Sequence, residues 1–176
     1  MKNINLKITG DDLKGLKRIQ EVLNEYKKYK VKVGVLGGNY PNGEKIADVA
    51  YLHEFGSETP RTFMYKGRKI TIRGVPPRSF LRVPMKQLFK QNGLMTELVK
   101  LKVIEEFQEG YTGKAFKVIG IESENAIKEA FATSGNGQWE RNINEQYIEA
   151  KGSNTPLIDS GQLYSSITSK IYKEGL

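Results

Sequence analysis

One histidine and several serines are the side chains of this sequence most typical of a general base and a nucleophile. His53 is the only histidine and stands beside Glu54. A metalloprotease helix needs two histidines four residues apart, and a zinc site needs three or four ligands. Ser160, Ser165 and Ser166 have no histidine nearby in the sequence and no Gly-x-Ser-x-Gly turn. The sequence therefore favours a His53 that packs or hydrogen-bonds at a helix end over a His53 that acts as a general base.

A glycine-rich loop has the spacing of a phosphate-binding loop but not its chemistry. Gly38 and Gly43 are followed by Glu44-Lys45, where a nucleotide loop needs Lys and then Ser or Thr. A surface turn explains the loop better. The chain has no cysteine, which excludes disulfides, thiolate zinc sites and cysteine nucleophiles. We therefore expect a protein that is not an enzyme and that needs neither a cofactor nor a metal.

The basic residues are unevenly distributed. Residues 1–90 hold 19 Lys and Arg against 8 Asp and Glu, whereas residues 91–176 hold 9 against 12. The stretch from Arg61 to Lys90 has nine basic residues and no acidic one. Such asymmetry favours contact with a polyanion or with an acidic neighbour, although a merely soluble basic face would look the same. The candidate residues facing a partner or DNA are Arg61, Lys66, Arg68, Lys69 and Arg73.

The hydrophobic periodicity predicts an α+β fold in which helices pack on one side of a small, mainly antiparallel sheet. Helices are expected near residues 11–29, 45–54 and 114–133, with a long helical region from about residue 79. Strands are expected at 31–35 and 167–172, with a protruding basic hairpin formed by 61–65 and 68–72. No apolar run approaches the roughly 20 residues of a membrane span.

Two helices show apolar stripes that are expected to face the core. The first consists of Leu13, Leu16, Ile19, Leu23 and Tyr26. The second consists of Leu94, Leu98, Leu101, Ile104 and Phe107. The acidic pair Glu105-Glu106 is assigned to a solvated face. We predict one domain over residues 1–176, with a hairpin excursion at about 57–75 and an extended C-terminal region whose long loop or arm, at about 134–156, has little core of its own.

Three short segments have clear local roles in such a fold. Glu54-Phe55-Gly56 ends a helix, with Phe55 as its anchor and Gly56 in the left-handed C-terminal conformation. Val75-Pro76-Pro77-Arg78-Ser79-Phe80-Leu81-Arg82 leads into the long helix, and Phe80 and Leu81 form its first buried turn. In the third segment Asp159 caps the last helix and places Leu163 and Ile167 on one face. The motif residues expected to determine the fold are Glu54, Phe55, Gly56, Pro77, Arg78, Phe80, Leu81, Asp159, Gly161 and Leu163.

Together these segments resemble the neck and tail-completion proteins of long-tailed phages, a family also described as virion morphogenesis or tail-component proteins. The family pattern runs A-x-x-x-E-F-G-[ST], then I-P-x-R-P-F-[LM]-R, then L-x-D-[ST]-G-x-L-x-x-S-[IL]. The present chain contains a close match to each of the three, in the same order, over about 120 residues, with Val75 at the isoleucine position of the second. It departs from the pattern at Ser79, where the family usually has proline.

The resemblance implies a structural subunit of the virion, made in the host cytoplasm, that forms a homo-oligomeric ring at the neck and joins the tail to the head. Its implied partners are other neck or tail proteins, with non-specific contact to packaged DNA and no membrane. Two alternatives stay open. One is a tail terminator that caps the tail tube of a phage or a contractile bacteriocin. The other is a non-specific nucleic-acid-binding protein that uses residues 61–90.

Overall fold

The computed structural model of this chain describes residues 10–90, 93–141 and 144–174. Those residues form seven helices and two small antiparallel sheets of two strands each, about 49% helix and 18% strand, which confirms the predicted α+β class. The ends of the predicted domain, at 1–9 and 175–176, lie outside the described residues. In chain order the elements are α1 (Gly10–Tyr26), β1 (Tyr29–Val35), α2 (Ile46–Phe55), β2 (Arg61–Tyr65), β3 (Arg68–Ile72), α3 (Arg82–Leu88), α4 (Leu94–Glu109), α5 (Lys114–Ala132), α6 (Glu145–Lys151), α7 (Gln162–Ser165) and β4 (Ile167–Lys173).

The main sheet pairs β1 with β4, which are separated by more than 130 residues of chain. The pairing is antiparallel, from Tyr29 opposite Lys173 to Val35 opposite Ile167. Helix α5 lies against one face of this sheet. Gly120 makes the close approach possible, because a Cβ at that position would lie 2.6 Å from the Oγ of Ser169. Among the described helices, none is long and apolar enough to cross a membrane.

The hydrophobic core joins α2, α5 and the C-terminal segment. Phe80 and Phe131 are fully buried and meet edge to face, with ring centroids 5.0 Å apart. The other buried members of this core are Ile46, Ala50, Ile127, Ala130, Trp139, Leu163 and Ile167.

The long helix predicted from residue 79 is two helices that begin later. Helix α3 starts only at Arg82, and α4 starts at Leu94, so Phe80 and Leu81 precede the helix instead of forming its first turn. The prediction failed here because Ser79, Leu81 and Arg82 donate hydrogen bonds to Glu54. A side chain 25 or more residues away therefore sets the start of α3.

The predicted apolar stripes of α1 and α4 are only partly buried. In α1 the buried residue is Val22, whereas Leu13, Leu16 and Leu23 are exposed. In α4 the buried residues are Met95 and Glu106, whereas Leu101 and Ile104 are 56% and 51% exposed. Four stripe residues, Ile19, Tyr26, Leu98 and Phe107, are half-buried, so each stripe is buried only in part. Of Leu94, only the backbone is described.

Glu106 is buried, which contradicts its assignment to a solvated face. Its carboxylate accepts hydrogen bonds from the hydroxyl of Tyr26, from the hydroxyl of Thr112 at 2.7 Å and from the backbone N–H of Lys114 at 2.6 Å. Burial alone would raise the pKa of Glu106, but these hydrogen bonds outweigh burial and hold the pKa below its ordinary value. The carboxylate thereby joins α1 and α4 to the first turn of α5.

The hairpin has the predicted strands and two-residue turn, with Lys66 and Gly67 both at positive φ. It does not stand free of the body. Phe63 and Tyr65 both meet the ring of Tyr147 on α6, with centroids 6.1 and 5.2 Å apart.

Within the predicted arm at 134–156, residues 142 and 143 lie outside the described ranges. The rest contains α6 and the buried side chains of Trp139 and Pro156, so the arm contributes to the core more than expected.

Candidate functional site

Glu54, from the first motif segment, binds the second segment through both carboxylate oxygens. Its side chain is buried at the end of α2. Oε1 accepts from the hydroxyl of Ser79 at 2.6 Å and from Nε of Arg82 at 2.8 Å, and Oε2 accepts from the backbone N–H of Leu81 at 2.8 Å. The backbone N–H of Arg82 adds a longer bond of 3.2 Å to Oε1. Ser79, the departure from the family pattern, thus supplies one of the four hydrogen bonds.

These bonds keep Glu54 charged. Burial alone would raise the pKa of Glu54, but the bonds from Ser79, Leu81 and Arg82 together outweigh it and hold the pKa below its ordinary value. Arg82 itself is mostly solvent-exposed, so its ion pair with Glu54 is partly screened. The buried carboxylate is therefore stabilised mainly by hydrogen bonds, with the guanidinium at its solvent side.

Gly56 brings the two segments into backbone contact directly after α2. It adopts φ 75° and ψ 178°, so φ is positive as predicted, but ψ is extended instead of left-handed helical. A Cβ here would lie 2.8 Å from the carbonyl oxygen of Val75 and 2.9 Å from Cδ of Pro77. Ser57 and Val75 exchange two backbone hydrogen bonds of 2.8 Å. Only glycine fits both this conformation and this close approach.

The third segment joins the same core, but Asp159 does not act as predicted. Leu163 and Ile167 are both buried in one core with Ala50 and Phe80, but Ile167 is the first residue of β4, so the two do not share a face of the last helix. Asp159 does not cap α7, whose N-cap is Gly161 at φ 76° without a side-chain cap. Its carboxylate accepts a hydrogen bond of 2.6 Å from the hydroxyl of Tyr65 instead. This contact ties the third segment to the hairpin, a pairing 94 residues apart that local spacing could not reveal.

Arg78 is buried and His53 is partly buried where the first two segments meet. The Nε and Nη2 of Arg78 donate to the carbonyl oxygen of Glu140, at 3.1 and 3.0 Å, and its backbone N–H donates to the carbonyl oxygen of His53 at 2.7 Å. Burial lowers the pKa of His53 to about 4, and the charges of Arg78, Lys151 and Arg61 add to the effect. Its Nδ1 has no hydrogen-bond partner among the described residues. His53 is thus a neutral, packed side chain near pH 7.

Phe55 does not anchor α2 in the core. The buried stripe of α2 consists of Ile46, Ala50 and Glu54, at steps of four, and Phe55 lies about 100° around the helix from Glu54. It is 48% exposed, and Tyr51, one turn earlier, is 67% exposed. Their ring centroids are 4.6 Å apart, and Cζ of Arg82 lies 4.3 Å from the centre of the Phe55 ring. We call these three exposed side chains the aromatic–arginine stack.

The candidate basic residues divide into two groups. Lys66 donates to the carbonyl oxygen of Ala150 at 3.0 Å, and Arg68 pairs with Glu149 at 2.8 Å, so both hold α6 against the hairpin. Arg61, Lys69 and Arg73 are exposed and form no ion pair with another described residue. These three remain available to a partner.

These contacts leave exposed aromatic and basic side chains at the surface. Among the described residues, no group of three histidines or carboxylates is placed to hold a metal ion. No protein-family model, no curated protein and no solved structure matches the chain.

Sequence reasoning missed Arg82 and Tyr51 as candidate site residues. Their signal was present, since Tyr51 lies one helical turn before the motif phenylalanine and Arg82 closes the second segment.

Proposed function

We propose that this chain is a structural, non-catalytic subunit of the neck of a phage-type particle. In this proposal it forms a ring with other copies of itself, completes the tail and attaches it to the head. The mature location is the virion, and the other partners are neck or tail proteins. A tail terminator, in a phage or a contractile bacteriocin, is the alternative placement of the same kind of subunit.

The observation that carries the proposal is the convergence of the three motif segments into one unit. Glu54 binds Ser79, Leu81 and Arg82, while Leu163 from the third segment packs in the same core. The segments are distant in sequence, and the residues that resemble the phage family are the residues that hold them together. This arrangement supports reading the three matches as one fold signature and not as three chance similarities.

The aromatic–arginine stack is our candidate for the contact with a neighbouring copy. Tyrosine and arginine are over-represented among the residues that dominate binding energy at protein interfaces, and phenylalanine is enriched there. The buried carboxylate of Glu54 holds Arg82 over the Phe55 ring, so the stack is already ordered before any partner binds. Preorganisation of this kind lowers the entropic cost of association.

Further exposed aliphatic side chains fit a subunit that is buried by its neighbours. Leu13 and Leu16 on α1 and Leu101 and Ile104 on α4 are all more than half exposed. A ring contact is heterologous, so one surface of each copy meets a different surface of the next. These faces are suited to that second surface.

The decisive experiment is mass photometry and negative-stain imaging of the purified chain, alone and mixed with tails that lack it. We expect rings, or new density at one end of the tail. If tails that carry the new density also bind heads, the neck placement is supported. If the chain only caps the tail tube, the terminator placement is supported. A chain that stays monomeric and does not bind tails would overturn the assembly role.

A matched pair of variants tests the stack. Tyr51→Ala/Phe55→Ala should abolish ring formation with the monomer still folded, because both side chains are largely exposed. The control is Phe89→Ala, which removes an aromatic side chain of similar exposure, 44%, at the end of α3. Equal loss of rings in both variants would remove the stack as the specific contact.

A further inference from the structure

The face of the main sheet turned away from α5 carries lysines from both strands. Side chains alternate along a strand, so Lys30 and Lys32 of β1 share this face with Lys170 and Tyr172 of β4. The register confirms the placement, with Lys30 opposite Tyr172 and Lys32 opposite Lys170. All three lysines are exposed. We call these four residues the lysine face.

Lys32 and Lys170 form an unfavourable pair inside this sheet. Like charges directly opposite each other on neighbouring strands are destabilising. Their ammonium groups lie 4.7 and 5.4 Å from the centre of the same Tyr172 ring. Lys30 pairs with Glu174, but neither Lys32 nor Lys170 has an ion pair with another described residue. An anion bound between them would relieve the repulsion.

The lysine face is open at one end and covered at the other. Gly34 continues the same face of β1, and a Cβ there would meet the side chain of Leu81 at 3.6 Å. Leu81, from the second motif segment, therefore covers the sheet near Gly34. Beyond it, Lys32 and Lys170 are exposed.

From this geometry we propose that the lysine face binds the phosphate backbone of duplex DNA without reading its sequence. The proposal rests on the proposed function, because a ring that attaches the tail to the head would lie next to the packaged DNA. Lysine ammonium groups suit phosphates, and neutralising phosphates supplies sequence-independent affinity. Tyr172 is covered by two cations and is not free to stack on a base, which favours duplex over single-stranded DNA. The hairpin is the weaker candidate, because Lys66 and Arg68 bind α6.

The test is fluorescence anisotropy of the full chain with a labelled 30-base-pair duplex of arbitrary sequence, titrated at several salt concentrations. The logarithm of the binding constant should fall linearly with the logarithm of salt, by about 0.9 per phosphate contact. Lys32→Gln/Lys170→Gln should reduce the steepness of that slope by about 2. Between about 50 and 200 mM salt, the wild type should then lose roughly tenfold more affinity than the variant.

The matched control is Lys14→Gln/Lys17→Gln on α1, which removes the same charge from two exposed lysines. Its slope should change by less than about 1, because these lysines are not expected to contact DNA. The lysine-face variant should melt close to the wild type, since the lost cation–π contacts with Tyr172 are offset by removal of a like-charge pair. Lost binding with an unchanged melting temperature would therefore support the proposal.

Two results would overturn the proposal. One is an equal change of slope in the two variants, which would indicate a non-local charge effect. The other is no duplex binding at about 50 mM salt, where sequence-independent contacts are strongest. If the chain ignores DNA and Lys32→Gln/Lys170→Gln loses ring formation, the face contacts an acidic protein neighbour instead. If rings form but DNA does not bind, the lysine-face proposal fails and the proposed function stands. If the chain binds DNA but never joins tails, the proposed function fails and the lysine-face proposal stands.

Discussion

Glu54 accepts a hydrogen bond of 2.8 Å from the backbone N–H of Leu81, although 27 positions separate the two residues. The same carboxylate binds Ser79 and Arg82, so one buried side chain determines where the chain enters α3. This contact orients Phe80 toward the core and Arg82 toward Phe55 at the surface. The fold and the candidate interface thus depend on one residue.

Removing this carboxylate should destabilise the protein strongly. We expect Glu54→Ala to lower the free energy of unfolding by about 2–4 kcal/mol, because Ser79 and Leu81 lose a charged acceptor. Chemical denaturation measures the change. The control is Glu149→Ala, which breaks an exposed ion pair and should cost less than about 1 kcal/mol. Similar losses in the two variants would contradict the central role of Glu54.

Alanine at Gly56 should be far more costly than alanine at another glycine of similar φ. Gly152 adopts φ 79°, with no atom within 4 Å of a built Cβ, whereas at Gly56 the Cβ would collide with Val75 and Pro77. We expect Gly152→Ala to cost about 1–2 kcal/mol from backbone strain alone. Gly56→Ala should cost at least about 2 kcal/mol more, because rigid backbone must move. Thermal melts of both variants measure the difference, and equal melting temperatures would refute the collision.

Stability should fall between about pH 6.5 and pH 4 because of His53. Its pKa is about 4 when folded, against an ordinary value of 6.5, so the unfolded chain binds the extra proton in this window. The contribution is fully present above pH 6.5 and is lost as the pH falls toward 4, by up to about 3 kcal/mol. His53→Gln should flatten the stability profile in that window.

Proton NMR gives an independent check, because His53 is the only histidine of the chain. Its ring signal should titrate with a midpoint below pH 5. A midpoint near 6.5 would show that the ring is solvated. Glu54 and Glu106, whose pKa values are lowered, add a further loss of stability at lower pH, as each carboxylate is protonated.

The hairpin charges should act on assembly and not on folding. Lys69 and Arg73 are exposed, so Lys69→Glu/Arg73→Glu should leave the melting temperature nearly unchanged. If these charges contact a protein partner in the assembled particle, as we propose, the variant should lose joining to tails. Complementation for infectious particles measures the joining. Arg68→Glu is different, since it places like charge beside Glu149, and the swap Arg68→Glu/Glu149→Arg should restore that contact. Normal particles from the Lys69/Arg73 variant would exclude the hairpin as the contact.

The sequence by itself determined the elements whose signals are local. The alternation of Val31, Val33 and Val35 predicted β1, and Lys66-Gly67 between two strand-like runs predicted the hairpin with its turn. Helix α5 was expected at 114–133 and spans Lys114–Ala132. Periodicity and turn chemistry are properties of a few neighbouring residues, so they can be read without knowing the rest of the chain.

Only the tertiary structure decided which polar groups are buried and which apolar groups are exposed. Glu54 and Glu106 are buried because donors far away in sequence converge on them, and no local pattern encodes that convergence. Phe55 and Leu101 are exposed because α2 and α4 each pack through another of their faces. The pairing of Lys32 with Lys170 required the register of two strands from opposite ends of the chain. Burial and register depend on long-range partners, and for that reason the candidate surfaces emerged only from the folded chain.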